Sequence, residues 1–554
     1  MMDLATTLLL FFAFAGFALR RGLTYMHLYQ QEEYDSPRFF GWMIKHKAFD
    51  KRLSLLILII SGATLYFLST RGIHAEEKVF FSNAAVILAM ALITFLEKDP
   101  RKNSKKKLVM TNRAKRIFIP AYLLMIVSAA WVFLPIYPPQ HYIWIVNIQL
   151  IPVMIILVNL VLSPFEERTQ KKFWNEAHDK VQDYQPKVIG ITGSFGKTSV
   201  KHILGHILKT QAPTLITPGS VNTPMGIARV VREELEPEHQ YLVVEMGAYG
   251  PGSIERLCRL TPPDMGIITA IGHAHYERFK SLETVAKTKY ELAEAALEKG
   301  GSVIAHERTL RFAASREIKE QNENQFVICG EGPEAVKAKG IEEQSYLQKG
   351  DLAINSIIQK DKGVEVRFSW KNVQYSVDAP IFGVHHGHNI ALAFAAAFEL
   401  GIPSADIQSA LQSLPQIQHR LEVKRQGGGI TIIDDAYNSN PVGFQAALGL
   451  LEQMPTGGRK ILVTPGMVEL GAVHSDAHKT IGEYAAKACD IAIIVQGKRI
   501  PTFIDAYKNN GGKELHQVNT FAEAQTWISK NAKSGDVILL ENDLPDLYER
   551  VPKF

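Results

Sequence analysis

Five apolar runs, roughly 3–19, 53–70, 79–96, 117–136 and 143–163, fill most of the chain up to residue 164. Each is about the ~20 residues that a helix needs to cross a ~30 Å hydrocarbon layer. Inside such a layer a backbone can satisfy its polar groups alone only as a helix, so 1–164 is expected to be an α-helical membrane domain of about five spans. Beyond it the pattern changes to that of a soluble α/β protein, which is why the mean hydropathy of the whole, -0.02, describes neither part. At 554 residues the chain has room for three or four domains. A net charge of +5 makes no case for a nucleic-acid partner. Cys258, Cys329 and Cys489 lie far apart, with neither a CxxC pair nor metal-ligand spacing, as in a reducing compartment.

The first run is not read as a signal peptide, because acidic Asp3 precedes it and Arg20–Arg21 follow it. Lys and Arg crowd the segments 20–52 and 98–116, whereas 71–78 has one of each offset by Glu76 and Glu77, and 137–142 has neither. Basic loops stay inside. This puts the N-terminus outside and everything after Ser163 in the cytoplasm, where ATP is. The 98–116 loop is expected to set topology and touch anionic lipid. The aromatic stretch Tyr25–Trp42 has two readings: an interfacial anchor, or a docking surface for a lipid-linked substrate or a partner protein.

A polar linker, 165–185, leads into the apolar β-type run Lys187–Thr192. Then come Gly193, Ser194, Phe195, Gly196, Lys197, Thr198 and Ser199, followed by a helical pattern, Val200–Leu208. A strand, a glycine turn and a helix start form a phosphate cradle: backbone N–H groups turn inward, the helix dipole favours the anion, and the lysine reaches the β and γ phosphates. Ile191 stands where the general Walker form has its first glycine, leaving Gly-x-x-Gly-Lys-Thr-Ser.

The segment ITGSFGKTSVKHIL resembles the ATP loop of the Mur ligases, the enzymes that build the peptide stem of peptidoglycan, and most of all the branch that adds D-alanyl-D-alanine. Further segments follow in that family's order. Asn222-Thr223 matches the substrate-side Asn/Thr segment, and Tyr241-Leu-Val-Val-Glu245 reads as a buried strand ending in a carboxylate. His275, within Gly272-His-Ala-His-Tyr-Glu277, matches the Ala-His-x-Glu segment, and Lys289 falls in Lys287-Thr-Lys-Tyr-Glu291. Asn389, in Gly387-His388-Asn389, matches the adenine-contacting Asn. Arg420 and Asp435, with Tyr437 and Asn438, open what looks like the family's C-terminal domain; Glu469-Leu-Gly471 and His478 fit more loosely.

The resemblance implies a P-loop parallel-sheet central domain at 186–415 and a smaller Rossmann-like α/β domain at 416–554. It further implies ATP and two Mg²⁺ ions, one held by Thr198 and Glu245, the other by His275 and a carbamoylated Lys289. Asn389 would contact adenine, Arg420 and Asp435 would complete the ATP site, and Asn222, Thr223, Tyr437 and Asn438 would meet substrate. The implied chemistry is an acyl phosphate followed by amine attack, with charge building on the phosphoryl oxygens. No general base for the amine stands out.

Departures are equally informative. His306-Glu307-Arg308-Thr309 replaces the family's Asn-x-Asp-Asp, Gly466 replaces an Asp, and Glu541-Asn542-Asp543 replaces Lys-Gly-Ser, which puts acids where an anion-binding turn should be. Between Ser163 and the first central strand there is no room for the family's uridine-nucleotide domain. Three functions stay open. One is ligation of an amino acid or dipeptide to a cell-envelope precursor, nucleotide- or lipid-linked, at the bacterial cytoplasmic membrane. Another is a poly-γ-glutamate-type or other non-peptidoglycan ligase. The last is an ATP-gated scaffold or transporter, against which stands the lack of charges inside the spans.

Overall fold

The computed structural model describes residues 4–69, 75–103, 107–133, 141–272, 279–338, 345–348, 350–437, 439–468 and 470–542. The chain divides into two compact units, Met1–Thr169 and Gln170–Asp543.

The first unit is helical. By length and composition four helical stretches suffice to cross a membrane: Leu4–Gln31, Glu77–Lys102, Asn112–Phe133 and Tyr142–Tyr184. The remaining expected span is a shorter apolar helix, Arg52–Phe67, so five expected spans become four of full length and one short among the described residues. Phe14, Phe17, Met26, Trp144 and Ile148 are buried in this bundle, while Phe12, Leu55, Leu88, Val127 and Val161 are exposed. Apolar side chains thus lie both inside and outside.

The structure corrects two expectations in this region. The first helix runs on past residue 19 to Gln31, and Glu33 and Tyr34 break it with φ of 60° and 62°. Asp35 then caps helix Ser36–Lys45 by accepting from the Arg38 N–H. Tyr25, Tyr29 and Phe39 consequently pack inside the bundle, with the rings of Tyr29 and Phe39 5.0 Å apart and the Tyr25 hydroxyl donating to the Ala48 carbonyl at 3.1 Å. These three aromatics therefore belong to the core of the bundle, and of the stretch's large apolar side chains Phe40 is exposed, as is Ile44 just after it. The linker is also not an irregular segment. Glu166 to Tyr184 continues the helix begun at Tyr142, because this stretch is rich in Glu, Lys and Gln and has neither glycine nor proline.

Extension of the first helix also brings charge into the bundle. Arg21, 3% exposed, donates through Nη1 to Asp50 Oδ2 at 2.5 Å and through Nε to Glu97 Oε2 at 3.0 Å. Thr24 Oγ1 adds a bond to Glu97 at 2.7 Å. One guanidinium within the first helix therefore pins two segments distant in sequence, before the helix that starts at Arg52 and after the helix that ends at Leu96. Replacing Arg21 with Ala leaves the buried Asp50 and the partly buried Glu97 without their shared cation, and is expected to destabilise this unit by roughly 3–5 kcal/mol, measured as loss of thermal stability of the detergent-solubilised protein. A Tm unchanged from wild type would show that the triad is not structural.

The second unit contains two α/β layers. In the central one, β1 (Lys187–Thr192), β2 (Thr214–Ile216), β3 (Tyr241–Glu245), β4 (Met265–Ile268), β5 (Ser302–His306), β6 (Phe326–Glu331), β7 (Leu352–Lys360), β8 (Gly363–Trp370) and β9 (Val373–Ala379) form one sheet. Its order is β2-β3-β1-β4-β5-β6-β7-β8-β9. The first seven of these are parallel and the last two add antiparallel hairpin pairings, so the sheet is mixed. The C-terminal sheet has β10 (Glu422–Arg425), β11 (Thr431–Asp435), β12 (Lys460–Thr464), β13 (Ile491–Val495), β14 (Glu514–Val518) and β15 (Val537–Glu541), in the order β10-β11-β15-β12-β13-β14. Only β10 pairs antiparallel. Strands such as Ile491–Val495 are buried along their whole length, as parallel strands covered on both faces must be.

Candidate active site

The glycine loop leaves β1 between β3 and β4, at the carboxyl edge of the parallel strands where open α/β sheets bind ligands. Gly193 takes φ 154°, and a Cβ there would stand 1.9 Å from Thr269 Oγ1. Gly196 takes φ 81°, a conformation that side chains disfavour, and a Cβ on it would stand 2.6 Å from Asn389 Oδ1. Both glycines are thus required by close approach. The second also shows that Asn389, at the start of helix His386–Glu399, packs directly against the loop.

Ser194 and Phe195 fasten the loop to the segment after β4. Ser194 Oγ accepts from the Gly272 N–H at 2.9 Å and donates to the Gly272 carbonyl at 3.0 Å, and Thr269 Oγ1 donates to the Phe195 carbonyl. Lys197 Nζ donates to the Gly193 carbonyl at 2.7 Å, curling over the loop, and Ser199 is buried on the first turn of helix Lys197–Lys209.

Glu245 closes β3 and is 1% exposed. Its Oε2 accepts from Thr198 Oγ1 at 2.9 Å and from Lys201 Nζ at 3.0 Å, and its Oε1 accepts from Asn222 Nδ2 at 3.1 Å. Burial alone would raise this carboxyl, but Lys201 and Lys197, together with bonds from Lys201 and Asn222, override it and hold the group below the ordinary carboxylate range. The site therefore presents a committed carboxylate beside a hydroxyl, which is the hard oxygen donor set that suits Mg²⁺. Lys201, fully buried, is a functional residue that the motifs do not mark. A signal exists nonetheless: it lies four residues after Lys197 and three after Thr198, on one face of a helix.

Lys289 is 4% exposed on helix Leu282–Glu298, whereas Lys287 is exposed, which separates the two lysines of that motif. Among the described residues no hydrogen bond or ion pair reaches Lys289. Burial, reinforced by repulsion from Lys197, pushes its amine well below the usual lysine range. A neutral amine is the form that can add carbon dioxide, so the residue fits the expected carbamate. Glu291 of the same motif accepts from the N–H groups of Gly252, Ile254 and Glu255, capping helix Ser253–Leu260. His275 lies outside the described residues.

The substrate-side residues are placed unevenly. Asn222 orients Glu245 and accepts from the Tyr249 hydroxyl at 3.1 Å, while Thr223 precedes helix Pro224–Glu234 without a side-chain cap bond. Tyr437 is half-exposed, with the Arg420 guanidinium 4.6 Å from its ring centroid; Asn438 and Glu469 lie outside the described residues. The positive charge of Arg420 adds, after burial, to what holds the Lys197 and Lys201 amines below the usual lysine range. Asp435 accepts from the Leu421 N–H at 3.3 Å. His478 is buried and accepts from the Met467 N–H at 2.9 Å.

The departing segment after β5 builds a polar chain. The Arg308 N–H donates to His306 Nδ1, which leaves His306 Nε2 to donate to His388 Nδ1 at 3.0 Å and His388 Nε2 to face Glu331 Oε1 at 3.4 Å. His306 and Glu331 end neighbouring parallel strands and His388 adjoins Asn389, so two histidines and a glutamate occupy the edge where Asn and Asp were expected.

Residues 191–397 match the Mur ligase middle domain and residues 419–541 the Mur ligase, glutamate ligase domain. The chain is 30% identical over 385 residues to the UDP-N-acetylmuramoyl-tripeptide--D-alanyl-D-alanine ligase of Bacillus subtilis, covering 67% of this chain and 77% of that one. Against the enzyme of the same name from Mycobacterium tuberculosis (strain ATCC 25618 / H37Rv) it is 29% identical over 326 residues, covering 56% of this chain but only 58% of the relative. A crystal structure of MurF from Acinetobacter baumannii superposes with a TM-score of 0.56 at 27% identity, covering 69% of this chain and 78% of that one.

Lys201→Met is expected to lower the stability of the second unit by roughly 3–5 kcal/mol by stranding Glu245 as an unpaired buried carboxylate, and to weaken Mg²⁺–nucleotide binding at least tenfold by calorimetry. Unchanged affinity in a folded variant would show that Lys201 does not set the charge of Glu245.

Proposed function

The chain belongs to the Mur ligase family and is an ATP-dependent, ADP-forming carboxylate–amine ligase, and on that basis we propose that it joins an amino acid or dipeptide to a carboxylate of a cell-envelope precursor. The observation that carries the reading is the Glu245 cluster. A glycine loop, a lysine, a hydroxyl and an ionised carboxylate converge at one sheet edge.

A carboxylate is a poor electrophile until its oxygen becomes a leaving group, which is what transfer of the γ-phosphoryl achieves. Lys197 and the loop amides are assigned to the β and γ phosphates, and Asn389 to the base. Thr198 and Glu245 are assigned to one Mg²⁺, and carbamoylated Lys289 with His275 to the other; bound there, the ions would neutralise charge on the phosphoryl oxygens. Arg420 and Asp435 would complete the site as the two layers close and exclude water from the acyl phosphate.

The helical unit is read as a multi-pass anchor in the bacterial cytoplasmic membrane, N-terminus outside, with the ligase in the cytoplasm. Support comes from the four long apolar helices, their exposed apolar side chains, and the basic segments 20–52 and 98–116. With membrane lipid as a neighbour, the acceptor would be lipid-linked or nucleotide-linked. Arg21, Asp50 and Glu97 do bring charge into the bundle, but they are spent on one another, so the transporter reading gains nothing from them. One observation favours a different substrate pair, such as that of a poly-γ-glutamate-type ligase. Glu541 is buried beside Asp435 where the family's lysine was expected.

The test is incubation of detergent-purified protein with ATP, Mg²⁺, UDP-N-acetylmuramoyl-tripeptide or its lipid-linked counterpart, and D-alanyl-D-alanine or a panel of amino acids. Amide product by mass together with phosphate release is expected, and both should fall at least a thousandfold in Lys197→Ala. Product only with other pairs would move the reading to the second ligase class. Phosphate release without amide in every combination would overturn the assignment.

A further inference from the structure

The amine partner of the reaction arrives as an ammonium, R–NH₃⁺, and must lose a proton before it can attack. The C-terminal sheet carries a group suited to take it. The chain lays β11, β12, β13 and β14 and then returns with β15 inserted between β11 and β12. The carboxyl end of β15 therefore sits at the point where strand order reverses, the place where open α/β sheets form their ligand crevice. Two carboxyls meet there. Asp435 and Glu541 are register partners on adjacent parallel strands and so point to the same side of the sheet.

The surroundings hold them in place without neutralising them. Ser439 Oγ donates to Glu541 Oε1 at 2.5 Å from the loop after β11, and Asn542 Nδ2 donates to the Gly466 carbonyl at 2.7 Å in the loop after β12. Glu541 is fully buried, and its side chain hydrogen-bonds with that of Asp435. Two carboxyls can bond in this way only while one of them holds a proton. The charged groups bearing on the pair are Arg420 from the interdomain segment and Asp434 from β11. Asp434 is itself tied to Lys424 at 2.7 Å and His419 at 2.9 Å, which leaves Arg420 as the cation near the pair. Burial first, and repulsion from Asp434, push Asp435 up to about 6; burial and repulsion from Asp435 raise Glu541 further, so near neutral pH the pair can exchange a proton.

We propose that Asp435 and Glu541 act together as the proton acceptor for the incoming ammonium, with Asp435 the member that meets the amine and Glu541 the positioning residue behind it. This rests on the ligase reading above. The pair takes one proton from R–NH₃⁺. The freed amine lone pair attacks the acyl-phosphate carbon, the C–N bond forms, the C–O bond to phosphorus breaks, and the remaining surplus N–H proton leaves with the phosphate as HPO₄²⁻. The crevice then selects donors by their ammonium, a role for which an acid at residue 541 is suited and a lysine is not.

Hydroxylamine separates this step from the rest, because it is a neutral nucleophile at pH 7 and needs no proton acceptor. With ATP, Mg²⁺ and UDP-N-acetylmuramoyl-tripeptide, and with the acceptor that yields product above if that differs, amide and hydroxamate are measured in parallel. Glu541→Gln is expected to lower the amide-to-hydroxamate ratio at least tenfold at pH 7, with recovery toward pH 9 as the free amine grows. Glu541→Asp should restore part of the loss. A ratio equal to wild type, or a loss that does not recover with pH, overturns the proposal. If Glu541→Gln does not fold, the wild type alone decides: as pH drops from 7 to 5.5 its rate of amide formation, measured without hydroxylamine because that nucleophile is itself protonated in this range, should fall less steeply than the free amine, and a fall in direct proportion to the free amine overturns the proposal. Absence of hydroxamate from wild type would instead refute the ligase reading itself.

Discussion

Everything at the ATP edge of the second unit depends on one buried carboxylate. Glu245 ends β3, and four contacts reach it from elements that do not touch it in sequence: Thr198 and Lys201 from the helix after the loop, Asn222 from the segment after β2, and Thr217, whose Oγ1 accepts from the Glu245 N–H at 3.1 Å. A carboxylate so deeply buried survives ionised only because it is paired and hydrogen-bonded. Lys201 is correspondingly held between the Gly219 carbonyl and Glu245. The local network thus fixes a negative charge one hydroxyl away from the phosphate cradle, and the geometry of the loop, the first helical turn and the β2 exit all follow from it.

The second constraint is the segment joining the two layers. His419 and Leu421 take φ of 57° and 51°, sparsely populated values for side chains, and Arg420 stands between them. One end of this turn is tied to the C-terminal layer through the Leu421 N–H and Asp435, and the other through His419 and Asp434. Between these two strained residues the Arg420 guanidinium lies 4.6 Å from the Tyr437 ring centroid.

How much of this is legible from the sequence varies with the range of the interaction. The loop, Glu245 at a strand end and Asn389 at a helix start are readable because strand, turn and helix signals are local, and the glycines mark where backbones must approach closely. Lys201 is hinted at by its spacing from Lys197 and Thr198 on one helix face, but that spacing does not tell an inward lysine from a solvated one; Glu245 on the strand beside it decides. The same limit explains Tyr25, Tyr29 and Phe39, whose aromatic pattern suits an interface as well as a core until the break at Glu33–Tyr34 is known. Helical continuity through 165–184 is hidden by polarity, which marks exposure and not loss of structure. The replacement of a lysine by Glu541 is visible as a letter, but its meaning requires the return of β15 between β11 and β12.

Activation of a carboxylate by phosphoryl transfer is the claim that the whole site serves. It is tested most directly by an acceptor whose carboxylate carries ¹⁸O, incubated with ATP, Mg²⁺ and the amine. An acyl phosphate requires that one labelled oxygen pass to the released phosphate, and mass spectrometry of that phosphate should show it in every turnover. Released phosphate without label, alongside amide product, would mean that the carboxylate is never phosphorylated and would contradict the role of the Glu245 cluster in phosphoryl transfer.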